Sequence, residues 1–226
     1  MTGLLSLTRE LLARCEGSRE MEWASSASPR EEPPSLESLS REVGACRKCR
    51  LGGERLRAVF GAGSPRARVM FIGEGPGYEE DRRGEPFVGK AGELLDKILA
   101  AIGLSRETVY IANIVKCHPM AEPSVPDRRG NDRPPTPEET AACRPYLDAQ
   151  IDLIRPGFLV ALGASAARAL TGSTQGITAM RGQWKEYRGI PLLPTYHPAA
   201  LLRDESLKVH AWRDMKSLKA AMEARP

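Results

Sequence analysis

Four apolar residues, Val69-Met-Phe-Ile72, run directly into Gly73-Glu-Gly-Pro-Gly-Tyr-Glu-Glu-Asp81 and on through Gly84-Glu-Pro-Phe-Val-Gly89. An amphipathic stretch from about Lys90 to Ile102 follows. A buried strand, a glycine-rich loop and a helix in that order constrain the chain to an α/β fold with its chemistry at the strand's carboxyl end. The glycines let the backbone come close to a ligand, and Gly75 and Gly77 sit where it would approach a ring. The loop also carries Glu74, Glu79, Glu80 and Asp81, which argues against a phosphate cradle.

Three more apolar segments read as strands: Val109–Val115, Phe158–Leu162 and Ile190–Tyr196. Helical patterns separate them. One opens with Thr136-Pro-Glu-Glu139, in which Thr136 is the N-cap, Pro137 is the first helical residue and Glu139 closes a capping box. Another places Leu207, Ala211, Met215, Leu218 and Met222 on one stripe. The expected architecture is a three-layer α/β/α sandwich around a small parallel sheet of about four strands. Between His118 and Pro137 the chain is rich in proline and polar residues and must form a long loop.

Residues 1–35 differ from the rest. Leu4, Leu7, Leu11 and Leu12 share one helical face, and Ser25–Pro34 reads as a linker. The helix is either a dock for a repair or replication partner or simply laid on the body, which makes residues 1–35 an extension and 36–226 the functional domain. Cys15, far from the other cysteines, is expected to be a free thiol. The chain shows no run of about 18 apolar residues and no leader pattern, so a monomeric cytoplasmic protein without membrane contact is expected. The formal charge of +4 is uneven, because seven acids and four bases lie in residues 1–40. The body is therefore mildly basic, which suits a polyanionic partner or a solvated surface.

Cys46-Arg-Lys-Cys49, Cys117 and Cys143 are four thiols on segments anchored in regular structure. They suit Zn²⁺ or a [4Fe–4S] cluster, and spacing alone does not choose; Cys117 and Cys143 also fit as buried core thiols. A thioredoxin-like redox pair would need a strand before Cys46, and none precedes it. At the carboxyl edge of the sheet, Asn113 and His197 join Phe87 and Glu74 of the glycine-rich loop. Singly, Asn113 reads as a core amide and His197 as a structural histidine. Together the four suit a planar polar ring: stacking from Phe87, a donor and an acceptor from Asn113, a hydrogen bond from His197.

Gly73-Glu-Gly-Pro-Gly77 with Glu80-Asp81, Pro86-Phe-Val-Gly89, Asn113-Ile-Val-Lys-Cys117 and His197-Pro-Ala-Ala-Leu-Leu-Arg203 stand in an order that resembles the iron–sulfur, or family 4, uracil-DNA glycosylases. The resemblance implies an enzyme that flips uracil out of DNA and hydrolyses its N-glycosidic bond, leaving an abasic site in base excision repair. It implies that Phe87 stacks on uracil, Asn113 pairs with its O4/N3 edge and Glu80 blocks the C5 position against thymine. His197 would hydrogen-bond O2, Glu74 would orient water or stabilise the sugar cation, and Leu201, Leu202 and Arg203 would enter the duplex and contact the backbone. Cys46, Cys49, Cys117 and Cys143 would hold a [4Fe–4S] cluster, with zinc as the alternative. The alternative function is a non-catalytic or crosslinking uracil-DNA-binding protein. Two departures from the family pattern stand out: His118 follows the cysteine where arginine is usual, and the 118–135 loop is long. The crosslinking subgroup carries a nucleophilic histidine in its enlarged loop, whereas Asp127-Arg-Arg-Gly-Asn-Asp-Arg133 has none, so turnover is expected. Arg128 and Arg129 either contact DNA or belong to a solvated loop.

Overall fold

Six strands form one sheet: β1 Ala62–Gly63, β2 Val69–Gly73, β3 Tyr110–Asn113, β4 Phe158–Leu162, β5 Lys185–Tyr187 and β6 Ile190–Thr195. The computed structural model describes residues 34–225, so the predicted leucine face at 4–12, Cys15 and nearly all of the linker lie outside the described residues. Strand order is β1-β3-β2-β4-β6-β5. The four inner strands are parallel, and β1 and β5 are antiparallel additions at the two edges.

The expectation of about four parallel strands therefore captures the centre and misses both edges. The reason is physical. A two-residue strand has no periodicity to read, and β5 is the polar Lys185-Glu-Tyr187, only partly buried. Its hairpin to β6 turns through Arg188 and Gly189, with φ of 52° and 78°. Positive φ at both central residues matches the twist of a tight hairpin, and Arg-Gly is not the usual sequence signal for it.

Successive side chains point to opposite faces of the sheet. Met70, Ile72, Leu159 and Ala161 pack against α5 (Pro137–Ile154) and α6 (Ala164–Thr171) through Leu147, Ile151, Ala166 and Leu170. Val69, Phe71, Phe158 and Val160 face α4 (Lys90–Ala101) and α9 (Lys208–Ala224) through Leu95, Leu99, Met215 and Leu218. Burial on both faces explains why the inner strands read as continuous apolar runs. Among the described residues no helix is long and apolar enough to cross a membrane.

α5 starts as its sequence dictates. The Thr136 hydroxyl accepts the Glu139 N–H, and the Glu139 carboxylate accepts the Thr136 N–H at 2.9 Å. Glu139 also takes Arg133 and Arg50, and the Arg133 hydrogen bonds hold its carboxyl down at about 2. The remaining helices are α1 (Leu36–Ala45) and α2 (Leu51–Glu54) before the sheet, α3 (Tyr78–Arg83) in the glycine-rich segment, α7 (Ile177–Met180) and α8 (Pro198–Arg203).

Candidate active site

Because the inner strands are parallel, their carboxyl ends share one edge, and Gly73 and Asn113 are register partners there. A cleft of about 640 Å³ opens above them, and Glu74, Phe87, Asn113 and His197 all line it. The predicted set is brought together.

Asn113 is 2% exposed, and its Oδ1 has no hydrogen-bond partner. A buried, unpaired amide oxygen costs about 1–3 kcal/mol, and one that faces a cleft is free to accept from a ligand's donor. Gly73 explains how the amide fits: a Cβ there would lie 2.4 Å from Asn113 Oδ1 and 2.6 Å from the Phe87 ring. Gly75 and Gly77, expected to let the backbone approach a ring, both line the cleft, and a Cβ at either would also crowd neighbours within the protein. Their Cβ atoms would meet Val115 at 2.8 Å and the Glu80 carboxylate at 3.0 Å.

Phe87 has φ 54°, a conformation that is costly for a bulky side chain. It is held there from outside. Arg106 donates to the Pro86 carbonyl at 3.0 Å and to the Phe87 carbonyl, while Gly92 leaves room for the turn. The Phe87 ring lies 5.4 Å from the His197 ring, tilted by 31°.

His197 caps α8. Its Nδ1 accepts the Ala199 N–H at 3.1 Å, which leaves Nε2 to carry the proton and donate. Burial, helped by the Arg203 charge, pushes His197 down to about 4, so the ring is neutral near pH 7. Gly163 makes space for it, since a Cβ there would approach His197 Cβ to 2.9 Å.

The four acids of the loop have separate surroundings. Glu74 lines the cleft. Glu79 pairs with Arg129 at 2.8 Å. Glu80 accepts three main-chain N–H groups, from Gly77, Val88 and Gly89, at 3.2, 2.9 and 3.1 Å. Asp81, 1% exposed, accepts the Leu56 and Arg57 N–H groups and faces His118 at 3.7 Å.

Beyond His197, the structure corrects one expectation. Leu201 is 2% exposed and packs with Tyr196 and Ala211, so it is part of the core and cannot enter a duplex. Leu202 is 45% exposed, and Arg203 lines the cleft.

Cys46, Cys49, Cys117 and Cys143 line a single small cavity with Val43, Arg55, Lys116 and Tyr146. The donor set fits a thiolate-bound group. Arg55 Nη1 donates to Cys117 Sγ at 3.0 Å, and the Lys116 and Lys48 main-chain N–H groups point at Cys143 and Cys46 Sγ at 3.3 and 3.5 Å. Burial pushes the Cys117 thiol up to about 12 and Cys143 in the same direction. Thiols so placed become thiolates only when a metal takes them.

Sequence reasoning missed Arg55 and Lys116, and it placed Gly73 in the glycine-rich loop without its part in seating the Asn113 amide. Arg55 carries no local signal. Lys116, between an apolar strand and Cys117, does: a lysine in a buried run needs partners, and Nζ has them in the Asn113 carbonyl at 2.8 Å and Gln150 Oε1 at 2.6 Å.

The uracil DNA glycosylase superfamily profile matches residues 60–216. The type-4 uracil-DNA glycosylase of Sulfurisphaera tokodaii is 41% identical over 82% of this chain and 84% of that protein. That of Thermotoga maritima is 44% identical over 76% of this chain and 85% of its own, and that of Archaeoglobus fulgidus 40% identical over 81% and 92%. The chain belongs to the type-4 uracil-DNA glycosylases. In this type-4 uracil-DNA glycosylase the cleft at the carboxyl edge brings together an unpaired amide, an aromatic ring and a neutral imidazole.

Proposed function

We infer that the protein excises uracil from DNA by hydrolysing the N-glycosidic bond, leaving an abasic site. The observation that carries this reading is the orphaned Asn113 Oδ1 at the base of the cleft, beside the Phe87 ring and the donor face of His197. An extruded uracil stacks on Phe87, and its N3–H meets Asn113 Oδ1 while the amide NH₂ donates to O4. As the C1′–N1 bond breaks, its electron pair moves to N1 and O2 of the base. The Nε2–H of His197 donates to O2 and stabilises that anion. Glu74 serves the sugar side, where its carboxylate stabilises the C1′ cation and orients the water whose oxygen bonds to C1′; the proton that water loses balances the uracil anion, which leaves as neutral uracil. Glu80 stands against C5 and excludes thymine's methyl group. Leu202 and Arg203 meet the duplex and its backbone.

Cys46, Cys49, Cys117 and Cys143 hold a [4Fe–4S] cluster in this reading. The cluster supplies a structural cross-link between the end of α1, the end of β3 and the start of α5. Visible absorption of the purified protein, bleached by dithionite and lost in Cys143→Ala, supports iron; a colourless protein with one zinc ion per chain overturns it.

The activity is tested with a labelled uracil-containing oligonucleotide treated with alkali. Strand scission by the native protein, absent in Asn113→Ala and His197→Ala, supports the reading. Tight binding with no abasic product overturns it.

A further inference from the structure

We propose that Arg129 is a DNA phosphate-binding residue on the rim of the base cleft, and that the segment from His118 to Arg133 is built to place it there; this rests on the uracil-excision reading. Arg129 lines the cleft with Gly130 and Asp132, alongside Tyr78 and Glu79 of the glycine-rich segment. Its guanidinium lies 4.9 Å from the centre of the Tyr78 ring, and Arg82 lies 3.8 Å from the same ring. Stacking on an aromatic face fixes the plane of a guanidinium while leaving its edge free for an anion.

The segment beneath Arg129 is ordered by hydrogen bonds from two buried side chains, Asn131 and His118. Asn131 is 1% exposed; its Oδ1 accepts the Glu122 N–H and its Nδ2 donates to the Glu122 carbonyl, both at 2.8 Å. His118, also 1% exposed, donates from Nε2 to Asp132 at 2.7 Å. Met120 and Asp132 form a bridge across the base of the loop, and Arg133 joins the Met120 carbonyl to Glu139. Gly130 turns the chain at φ 75° immediately after Arg129. Of the two exposed arginines on this loop, Arg128 turns to Glu122 and Arg129 to the cleft.

The cleft's size and the guanidinium held at its rim point to the ligand. About 640 Å³ is in the range that holds a drug-sized molecule, so there is room for sugar and phosphate beside the base. Lys90, Arg133 and Arg203 line it as well, but Arg133 is held by Glu139 and the Met120 carbonyl, and of the cations that line the cleft Arg129 is the one against the Tyr78 ring. In the free protein Glu79 occupies Arg129 at 2.8 Å, with Arg129 76% exposed. An exposed pair of this kind contributes roughly 0–1 kcal/mol, so a phosphate can displace it. Glu79 then keeps Arg83, 3.9 Å away, as its cation.

The test is equilibrium binding of the intact protein to a duplex carrying one 2′-fluoro-2′-deoxyuridine, which resists cleavage, across a potassium chloride series. Arg129→Gln should weaken binding about tenfold and reduce the slope of log K against log salt by about 0.9, the value for one lost phosphate contact. KM for uracil-DNA should rise with kcat within about twofold, inhibition by free uracil should not change, and Arg129→Lys should restore the slope. Glu79→Gln should bind as tightly as the native protein or more so, because it removes the competing carboxylate. An unchanged slope in Arg129→Gln, or an equal loss in Glu79→Gln, overturns the proposal. Failure of the uracil-excision reading is distinguishable, since the native protein would then release no uracil.

Discussion

Lys116 Nζ donates to the main-chain oxygen of Asn113 at 2.8 Å, while the Lys116 main-chain N–H points at Cys143 Sγ. One fully buried lysine therefore joins the Asn113 main chain, at the floor of the cleft, to the cysteine cavity. Burial pushes Lys116 down to about 8, and the neighbouring Cys143 and Cys117 act in the opposite direction. Lys116→Met orphans the Asn113 carbonyl and Gln150 Oε1, at about 1–3 kcal/mol for each buried acceptor. A midpoint of thermal unfolding lower by roughly 5–15 °C is expected, with a weaker visible absorption per chain. An unchanged midpoint would show that the two acceptors find other donors.

Asn113→Ala separates function from stability. The substitution removes the amide donor and acceptor that the proposed mechanism uses, and kcat/KM should fall by about 10²–10³. It also removes a buried oxygen that the folded protein leaves unpaired, so the melting temperature should hold or rise. A variant that loses activity and stability together would mean that Asn113 is a structural amide.

The parts of this arrangement that were readable from the sequence are those made of contiguous patterns. Val69–Ile72 and Phe158–Leu162 announce buried strands because both faces are covered, and Thr136 with Glu139 announces its helix because a cap is a local device. The convergence of Asn113, Phe87 and His197 follows from three parallel strands ending at one edge. What could not be read is set by distant partners. Nothing near Leu201 says that it turns inward while Leu202 stays outside, since α8 could have presented either to the core. Nothing near Asp132 or Asn131 says that His118 and Glu122 will bind them and turn a polar tract into a fixed wall.

His197 sets an expectation for pH. Its folded value is depressed from 6.5 to about 4 by burial and then by Arg203. Below about pH 6.5 the unfolded chain takes up a proton that the folded site refuses, so this group erodes stability as pH falls from about 6.5 to about 4 and adds no further slope below that. The Nε2–H donor survives through the same window. The ring-proton chemical shift of His197 should be flat from about pH 8 to about pH 5, and kcat should show no acidic limb from it there. A midpoint near 6.5 in either measurement would contradict the buried, neutral imidazole.

Glu80 holds two parts of the pocket together through the Gly77, Val88 and Gly89 N–H groups. Charge-assisted bonds of this kind are the stronger sort. Glu80→Ala releases all three and should cost about 2–4 kcal/mol, while opening the space that a thymine methyl group needs. Glu80→Gln keeps the bulk and one acceptor. Thymine release from ordinary DNA should therefore appear in the alanine variant and stay absent in the glutamine variant. If neither variant releases thymine while both still release uracil, discrimination resides elsewhere in the cleft.

Phe87 is the place where the fold stores strain for the site. Its φ of 54° is maintained by Arg106 on the Pro86 and Phe87 carbonyls, and the turn closes so tightly that a Cβ on residue 92 would lie 1.7 Å from the Phe87 oxygen. Phe87→Ala removes the stacking surface, worth about 1–3 kcal/mol per base, and should weaken inhibition by free uracil by roughly ten- to a hundredfold. Gly92→Ala touches no part of the base, yet it must push the 86–87 main chain away and tilt the ring. It should weaken free-uracil inhibition as well, and it should also lower the melting temperature, because the backbone and not the ligand bears the clash. Native-like uracil inhibition in Gly92→Ala would mean that the ring's position does not depend on the strained turn.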